Sequence, residues 1–141
     1  MTEKQLTSSL EDYIEVISNH IKQHQKVRAV DISKELGVTR ASVSEALKRL
    51  AEIGLIKYSR YDVIAITEKG EQVAKKIIDK HKLLEDFFCT ALGLDKTEAA
   101  ENACRIEHVI TEKVYNRLAD YVRFSQKNPD FNKEFLKTIK E

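Results

Sequence analysis

Apolar side chains recur at helical spacing through most of this 141-residue chain. Leu10, Tyr13, Ile14, Ile17 and Ile21 share one face of a helix predicted from Ser9 to about His24, with Ser8 or Ser9 as its cap. A short second helix is predicted over 30–36, with a poor cap at its start. Gly37-Val38-Thr39 reads as a tight turn. Its glycine accepts the left-handed backbone that ends one helix, and its threonine hydroxyl caps the next. That third helix, from Arg40 to about Ile53, buries Val43, Ala46, Leu47 and Leu50 and stops at Gly54. Two short runs follow, Leu55-Ile56-Lys57-Tyr58 and Val63-Ile64-Ala65-Ile66, separated by Ser59-Arg60-Tyr61-Asp62. They predict a small β-hairpin.

Beyond the hairpin the helical pattern returns. Thr67 caps a long helix predicted to run to about Leu92, where Gly93 ends it. Asp95 and Glu98 have the spacing of a capping box and start a helix expected to continue unbroken to about Ile110. A further helix is expected over about Thr111 to Phe124. Ser125 to Asp130, with Pro129, reads as a linker, and Phe131 to Lys140 as a weak last helix. The predicted fold is mainly α: an N-terminal winged helix-turn-helix with a small hairpin wing over 1–70, then an α-helical dimerisation domain over 71–141. Tyr115, Leu118, Ala119 and Val122 form an apolar stripe that either joins two subunits or packs within one.

Composition narrows the class. One proline and four glycines fit a largely helical chain. A 42% hydrophobic and 33% charged makeup is that of a globular protein. No run of 18 apolar residues is present, as a spanning helix requires. Met1-Thr-Glu-Lys-Gln-Leu lacks the basic-then-apolar order of a signal peptide, so a cytoplasmic location is expected. In that setting Cys89 and Cys104 are expected as thiols or ligands, not as a bridge. The net charge of +1 conceals an asymmetry. Residues 26–61 hold eight Lys/Arg against four Asp/Glu, while the remainder holds sixteen against nineteen. One part can meet an anionic partner while another can attract cations.

The anionic partner suggested by the helix-turn-helix is double-stranded DNA. The second helix of such a motif enters the major groove and its wing lies along phosphates. Thr39, Arg40, Ser42, Ser44 and Glu45 are small or polar on the face away from Val43, Leu47 and Leu50. They are the candidates for bases and phosphates, with Lys48 and Arg49 further along and Lys57 and Arg60 on the wing. The plainer reading is a trihelical packing or protein-contact module, since the fold hosts other functions.

Candidate metal ligands fall at same-face helical spacings. Asp12 and Glu15 are i and i+3 on the first helix. His81 and Glu85 are i and i+4 on the long one, and Cys104, Glu107 and His108 are i, i+3 and i+4 on the next. Residues so spaced lie one above another, so each helix can aim several donors at one point. The mixture of thiolate, imidazole and carboxylate suits a first-row transition ion better than Mg²⁺ or Ca²⁺. Each piece also reads more plainly: solvated acidic or ion-paired helix faces, a small packed cysteine, a satisfied core histidine. Cys89, in Phe87-Phe88-Cys89, is expected to pack.

With these motifs the sequence resembles the DtxR/MntR family of metal-dependent transcriptional repressors, over about residues 9–124. The resemblance rests on Glu11-Asp12-Tyr13-Ile14-Glu15, Gly37-Val38-Thr39 with Leu47-Lys48-Arg49-Leu50, Gly54-Leu55-Ile56, and Thr67-Glu68-Lys69-Gly70. It continues in Lys80-His81-Lys82-Leu83-Leu84-Glu85 and Ala103-Cys104-Arg105-Ile106-Glu107-His108-Val109. It implies a homodimer, not an enzyme, that binds operator DNA and represses metal-uptake genes when Fe²⁺ or Mn²⁺ is abundant, with one or two ions per subunit. The family's metal positions map onto Asp12, Glu15, His81, Glu85, Cys104, Glu107 and His108. Asp12, Glu15 and the short two-domain length resemble the manganese type; Cys104 resembles the iron type. The family mechanism implies that metal links the two halves and favours the DNA-binding form. The competing readings are a winged-helix regulator sensing an organic ligand and a metallo-hydrolase using Cys104, Glu107 and His108.

Overall fold

A computed structural model of the chain describes residues 6–23, 26–58 and 63–140. His24, Arg60 and the Ser59-Arg60-Tyr61-Asp62 connection lie outside the described residues. The order of elements is α1 (Ser8–Lys22), α2 (Ala29–Leu36), α3 (Arg40–Glu52), β1 (Ile56–Lys57), β2 (Ala65–Ile66), α4 (Glu68–Thr90), α5 (Lys96–Ile106), α6 (Glu112–Lys127) and α7 (Pro129–Leu136). The chain divides into two compact units, Met1–Lys76 and Ile77–Glu141. No helix among the described residues is long and apolar enough to cross a membrane.

The first unit is the winged helix-turn-helix. Thr7, not Ser8 or Ser9, caps α1: its Oγ1 accepts the Leu10 amide at 3.2 Å. The next helix opens without a side-chain cap from its leading residue. Instead Asp31, in the first turn, accepts the Arg28 amide at 3.1 Å. The turn is as the sequence predicts, with Gly37 at φ 65° and Thr39 Oγ1 accepting the Ser42 amide at 3.1 Å. Past α3, Gly54 takes φ 81° and the Leu55 amide returns to the Leu50 carbonyl at 3.0 Å. The strands are short and antiparallel, pairing Ile56 with Ile66 and Lys57 with Ala65. Ile14, Ile17, Val27, Ile32, Val43, Leu47 and Leu50 are fully buried and form the aliphatic core. Burying each such side chain contributes about 1.5–3 kcal/mol.

The second unit takes most of α4 together with α5–α7. Gly93, at φ 71°, ends α4 where expected. Asp95 Oδ1 caps α5 by accepting the Glu98 amide at 2.9 Å. Two expectations need correction. The first concerns α5, which stops at Ile106 instead of running to Ile110. Thr111 caps α6 through the Val114 amide, so the β-branched stretch before it leaves the helix as a turn. The second concerns the expected linker over 125–130, which is largely helical. The α6 helix runs on to Lys127, Asn128 alone separates it from α7, and Pro129 opens α7, where its missing amide costs nothing. Small side chains on α5, Ala99 and Ala103, are fully buried. An edge-to-face chain of rings links Phe88, Phe87, Tyr121, Phe131 and Phe124. Of the apolar stripe on α6, Val122 is buried within the chain, whereas Val114 and Phe124 are the exposed large hydrophobics of that helix.

Candidate nucleic-acid interface and metal centre

Helix α3 sorts its residues by face. Val43, Ala46, Leu47 and Leu50 turn inward, leaving Thr39, Arg40, Ser42, Ser44, Glu45, Lys48 and Arg49 exposed. Thr39 and Ser42 are partly engaged in the cap, where the Thr39 hydroxyl donates to Ser42 Oγ at 2.9 Å. Arg40, Ser44 and Glu45, on the first turns, present donors and an acceptor of the kind that read base edges. Lys57 is exposed on β1. Among the described residues no ion pair engages Arg40, Lys48, Arg49 or Lys57, so their cations remain available to phosphate.

The metal side is built around one buried carboxylate. Glu107 is 2% exposed and is the buried carboxylate among the described residues. It continues the helical path just past α5, its amide bonded to the Ala103 carbonyl at 2.9 Å. That keeps it on the face of Cys104, three residues earlier. His81, from α4, brings Nδ1 to 2.7 Å from Glu107 Oε2, and Cys104 Sγ lies 3.9 Å from the same nitrogen. Donor atoms of His81, Cys104 and Glu107 all fall within 4.8 Å of one another. The separations of 2.7 and 3.9 Å bracket the edge of a tetrahedron with metal bonds near 2.0–2.3 Å, about 3.3–3.8 Å. The other imidazole nitrogen, Nε2, lies 3.3 Å from Glu85 Oε2. His108, in the turn past α5, places Nε2 3.4 Å from Glu107 Oε1.

The sequence left open how the candidate ligands divide, and the arrangement groups some of them. Cys104, Glu107 and His108 read from sequence as one helical face, but α5 ends between them. Glu107 is therefore approached at one oxygen by His81 and at the other by His108. Cys104 groups with both His81 and Glu107. Imidazole, thiolate and carboxylate from two helices form a donor set suited to a first-row divalent ion. Asp12 and Glu15 lie half-buried on α1, in the first unit. Cys89 is half-buried, as expected of a packing residue. Sequence reasoning gave Thr67 only a capping role and passed over Lys69. Both also bond to carbonyls at the end of α3, a long-range pairing with no local signature.

Comparison with known proteins matches the chain to two family models in succession. Residues 5–64 match the family described as iron dependent repressor, N-terminal DNA binding domain. Residues 67–136 match iron dependent repressor, metal binding and dimerisation domain. The chain is 37% identical over 114 residues to an uncharacterized HTH-type transcriptional regulator of Methanocaldococcus jannaschii, covering 80% of this chain and 91% of the relative. It is 34% identical over 135 residues to the HTH-type transcriptional regulator MntR of Listeria innocua, covering 96% and 92%. Among solved structures it is similar to a manganese-dependent transcriptional repressor in complex with manganese, with a TM-score of 0.73 and 27% identity over 82% of this chain. The chain spans about half of that structure's length, 53%.

Proposed function

The chain belongs to the DtxR/MntR family of iron-dependent repressors, and from that premise we propose that it is a metal-activated repressor that binds operator DNA as a homodimer. The division of labour proposed is DNA reading by residues 1–70 and metal binding and dimerisation by residues 71–141. The activity is recognition without catalysis, carried out in the cytoplasm. The observation that carries the reading is the convergence of His81, Cys104 and Glu107 on one point, with Glu85 and His108 at its edges. These five side chains would hold Fe²⁺ or Mn²⁺. Asp12 and Glu15 are proposed as further donors on the family resemblance alone.

A bound divalent ion supplies positive charge beside a buried carboxylate and a soft acceptor for the Cys104 thiolate. The chain's own residues do the rest. Glu107 offers a carboxylate shielded from water, where its ionised form depends on a nearby cation. His81 and His108 flank both its oxygens. The DNA-competent state can gain only as much as the ion's differential affinity for that state provides. The exposed cations of α3 and the wing then meet phosphate.

An organic-ligand sensor is the weaker reading. The apolar groove of the second unit, lined by Phe87, Leu92, Val114, Leu118, Tyr121 and Phe135, has a volume of about 700 Å³, but it is open to solvent. Ligand pockets usually bury most of their occupant. DNA binding measured with Fe²⁺, Mn²⁺, Zn²⁺ and chelator, with bound metal quantified, separates the two. Binding that requires Fe²⁺ or Mn²⁺ and is lost with chelator supports the metal reading; binding indifferent to chelator sinks it. Cys104→Ser is expected to weaken the response to every ion. Cys104→Glu should retain the Mn²⁺ response while losing relative preference for Fe²⁺. Lys57→Ala should lower the log–log salt slope of DNA binding by about 0.9 if that lysine contacts one phosphate. An unchanged slope would remove Lys57 from the interface.

A further inference from the structure

The third helix ends against the first turn of α4, and several hydrogen bonds join them. Thr67 sits at its centre. Its hydroxyl lies 2.7 Å from the Gly54 carbonyl oxygen and 3.0 Å from that of Leu55, while the same oxygen accepts the Gly70 amide at 3.1 Å. The Thr67 amide donates to the Leu55 carbonyl at 3.0 Å. Lys69 Nζ donates to the Ile53 carbonyl at 3.2 Å. Ile53 is the residue that closes α3, Gly54 and Leu55 connect it to β1, and this segment supplies hydrogen-bond donors for the carbonyls of all three.

Gly70 closes the fit. A Cβ built there would lie 2.0 Å from the Leu55 carbonyl oxygen and 2.8 Å from Ile66 Cγ1. The first of these atoms is backbone and cannot swing aside. The position thus demands glycine for lack of space, not for backbone freedom, and α4 seats directly on the base of the wing. Leu55 immediately precedes β1 and Ile66 is the β2 residue paired with Ile56, so the same contact touches both strands.

We propose that Thr67 and Gly70 are positioning residues for DNA recognition. They clamp the end of α3 and the root of the wing to α4, the helix that carries His81 and Glu85 further along. The inference rests on the proposed repressor function and deepens it. Neither residue faces DNA. Their role is to keep Arg40, Ser44 and Glu45 in register with Lys57, so that base-reading and phosphate-contacting groups engage together. Docking two such groups at once requires that their separation be fixed before binding.

The test uses the full chain and, as its probe, a duplex selected from a random pool by the parent protein in Mn²⁺. Thr67→Val keeps the volume and removes the hydroxyl, Thr67→Ser restores it, and Gly70→Ala strikes the Leu55 carbonyl. Mn²⁺ affinity, thermal midpoint, DNA affinity at saturating Mn²⁺ and the salt slope of that affinity are measured for each. The expected result is that Thr67→Val keeps the parent's Mn²⁺ affinity. It should bind the duplex at least about tenfold more weakly and show a shallower salt slope as wing contacts disengage. Thr67→Ser should recover both. Where Gly70→Ala does not fold, Thr67→Val decides alone. DNA affinity within twofold of the parent in Thr67→Val would overturn the clamp. Equal losses of Mn²⁺ and DNA affinity would also overturn it, because that is the mark of general unfolding. A parent chain with no metal-dependent DNA binding would instead overturn the repressor reading, and the clamp with it.

Discussion

The two units of this chain spend their side chains in opposite ways. The first places its charges outside and fills its interior with aliphatic groups: Ile14, Ile17, Val27, Ile32, Val43, Leu47 and Leu50 are fully buried. The second does the reverse. It buries a carboxylate, Glu107, and leaves Leu92, Val109, Val114, Phe124, Phe131, Phe135 and Ile139 exposed, where the first exposes Val63. A unit with a dry, closed core is finished by its own folding. One with a buried carboxylate inside and apolar side chains outside is suited to a cation within and a protein surface without. The match of residues 67–136 to a metal-binding and dimerisation domain agrees with that contrast.

The largest expected effect lies in the dry core. Leu47→Ala should cost about 2–5 kcal/mol in denaturant unfolding, because Leu47 is fully buried on the inner face of α3 and its removal leaves a cavity in the aliphatic core. A loss below about 1 kcal/mol would show that the first unit is looser than its burial suggests.

Next comes the charged interior. Mn²⁺ at a hundred times its dissociation constant should stabilise the parent by about 2.7 kcal/mol. Glu107→Gln keeps the shape and removes the charge, so that increment should vanish while the metal-free protein stays folded. If Glu107→Gln gains as much from Mn²⁺ as the parent, Glu107 is a structural partner of His81 and His108, not a ligand.

Caps should erase the difference between the units. Thr7 on α1 and Asp95 on α5 each accept one amide of their own helix. Replacing either with alanine should cost about 1 kcal/mol in the same unfolding experiment. Unequal costs would mean that one helix end is held mainly by its tertiary contacts.

The smallest effect on the fold is expected at the groove. Val114→Lys should leave helix content by circular dichroism as in the parent, yet lower the sedimentation coefficient to that of a 16.2 kDa monomer. Parent-like sedimentation would place the subunit contact elsewhere on the second unit.

Periodicity and turn chemistry determine much of this protein directly. The inner face of α3, the Gly37 turn, the Thr39 cap and the stops at Gly54 and Gly93 all follow from which backbone angles and hydrogen bonds each side chain permits over a few residues. The same local rules placed His81 four residues before Glu85 and Cys104 three before Glu107. They misjudged the start of α1, where neighbouring hydroxyls compete and Thr7 wins. They also misjudged the end of α5 and the start of α7, where capping of α6 by Thr111 and the placing of Pro129 in the first turn of α7 set boundaries that apolar spacing does not record. What only the tertiary structure decided is which donors meet and what surrounds them. Burial of Glu107, the turning of both its oxygens towards different histidines, the pairing of Cys104 with His81, and the seating of Gly70 on the Leu55 carbonyl join residues far apart in sequence. No local pattern encodes such contacts, because they depend on how helices pack and not on how any one helix forms.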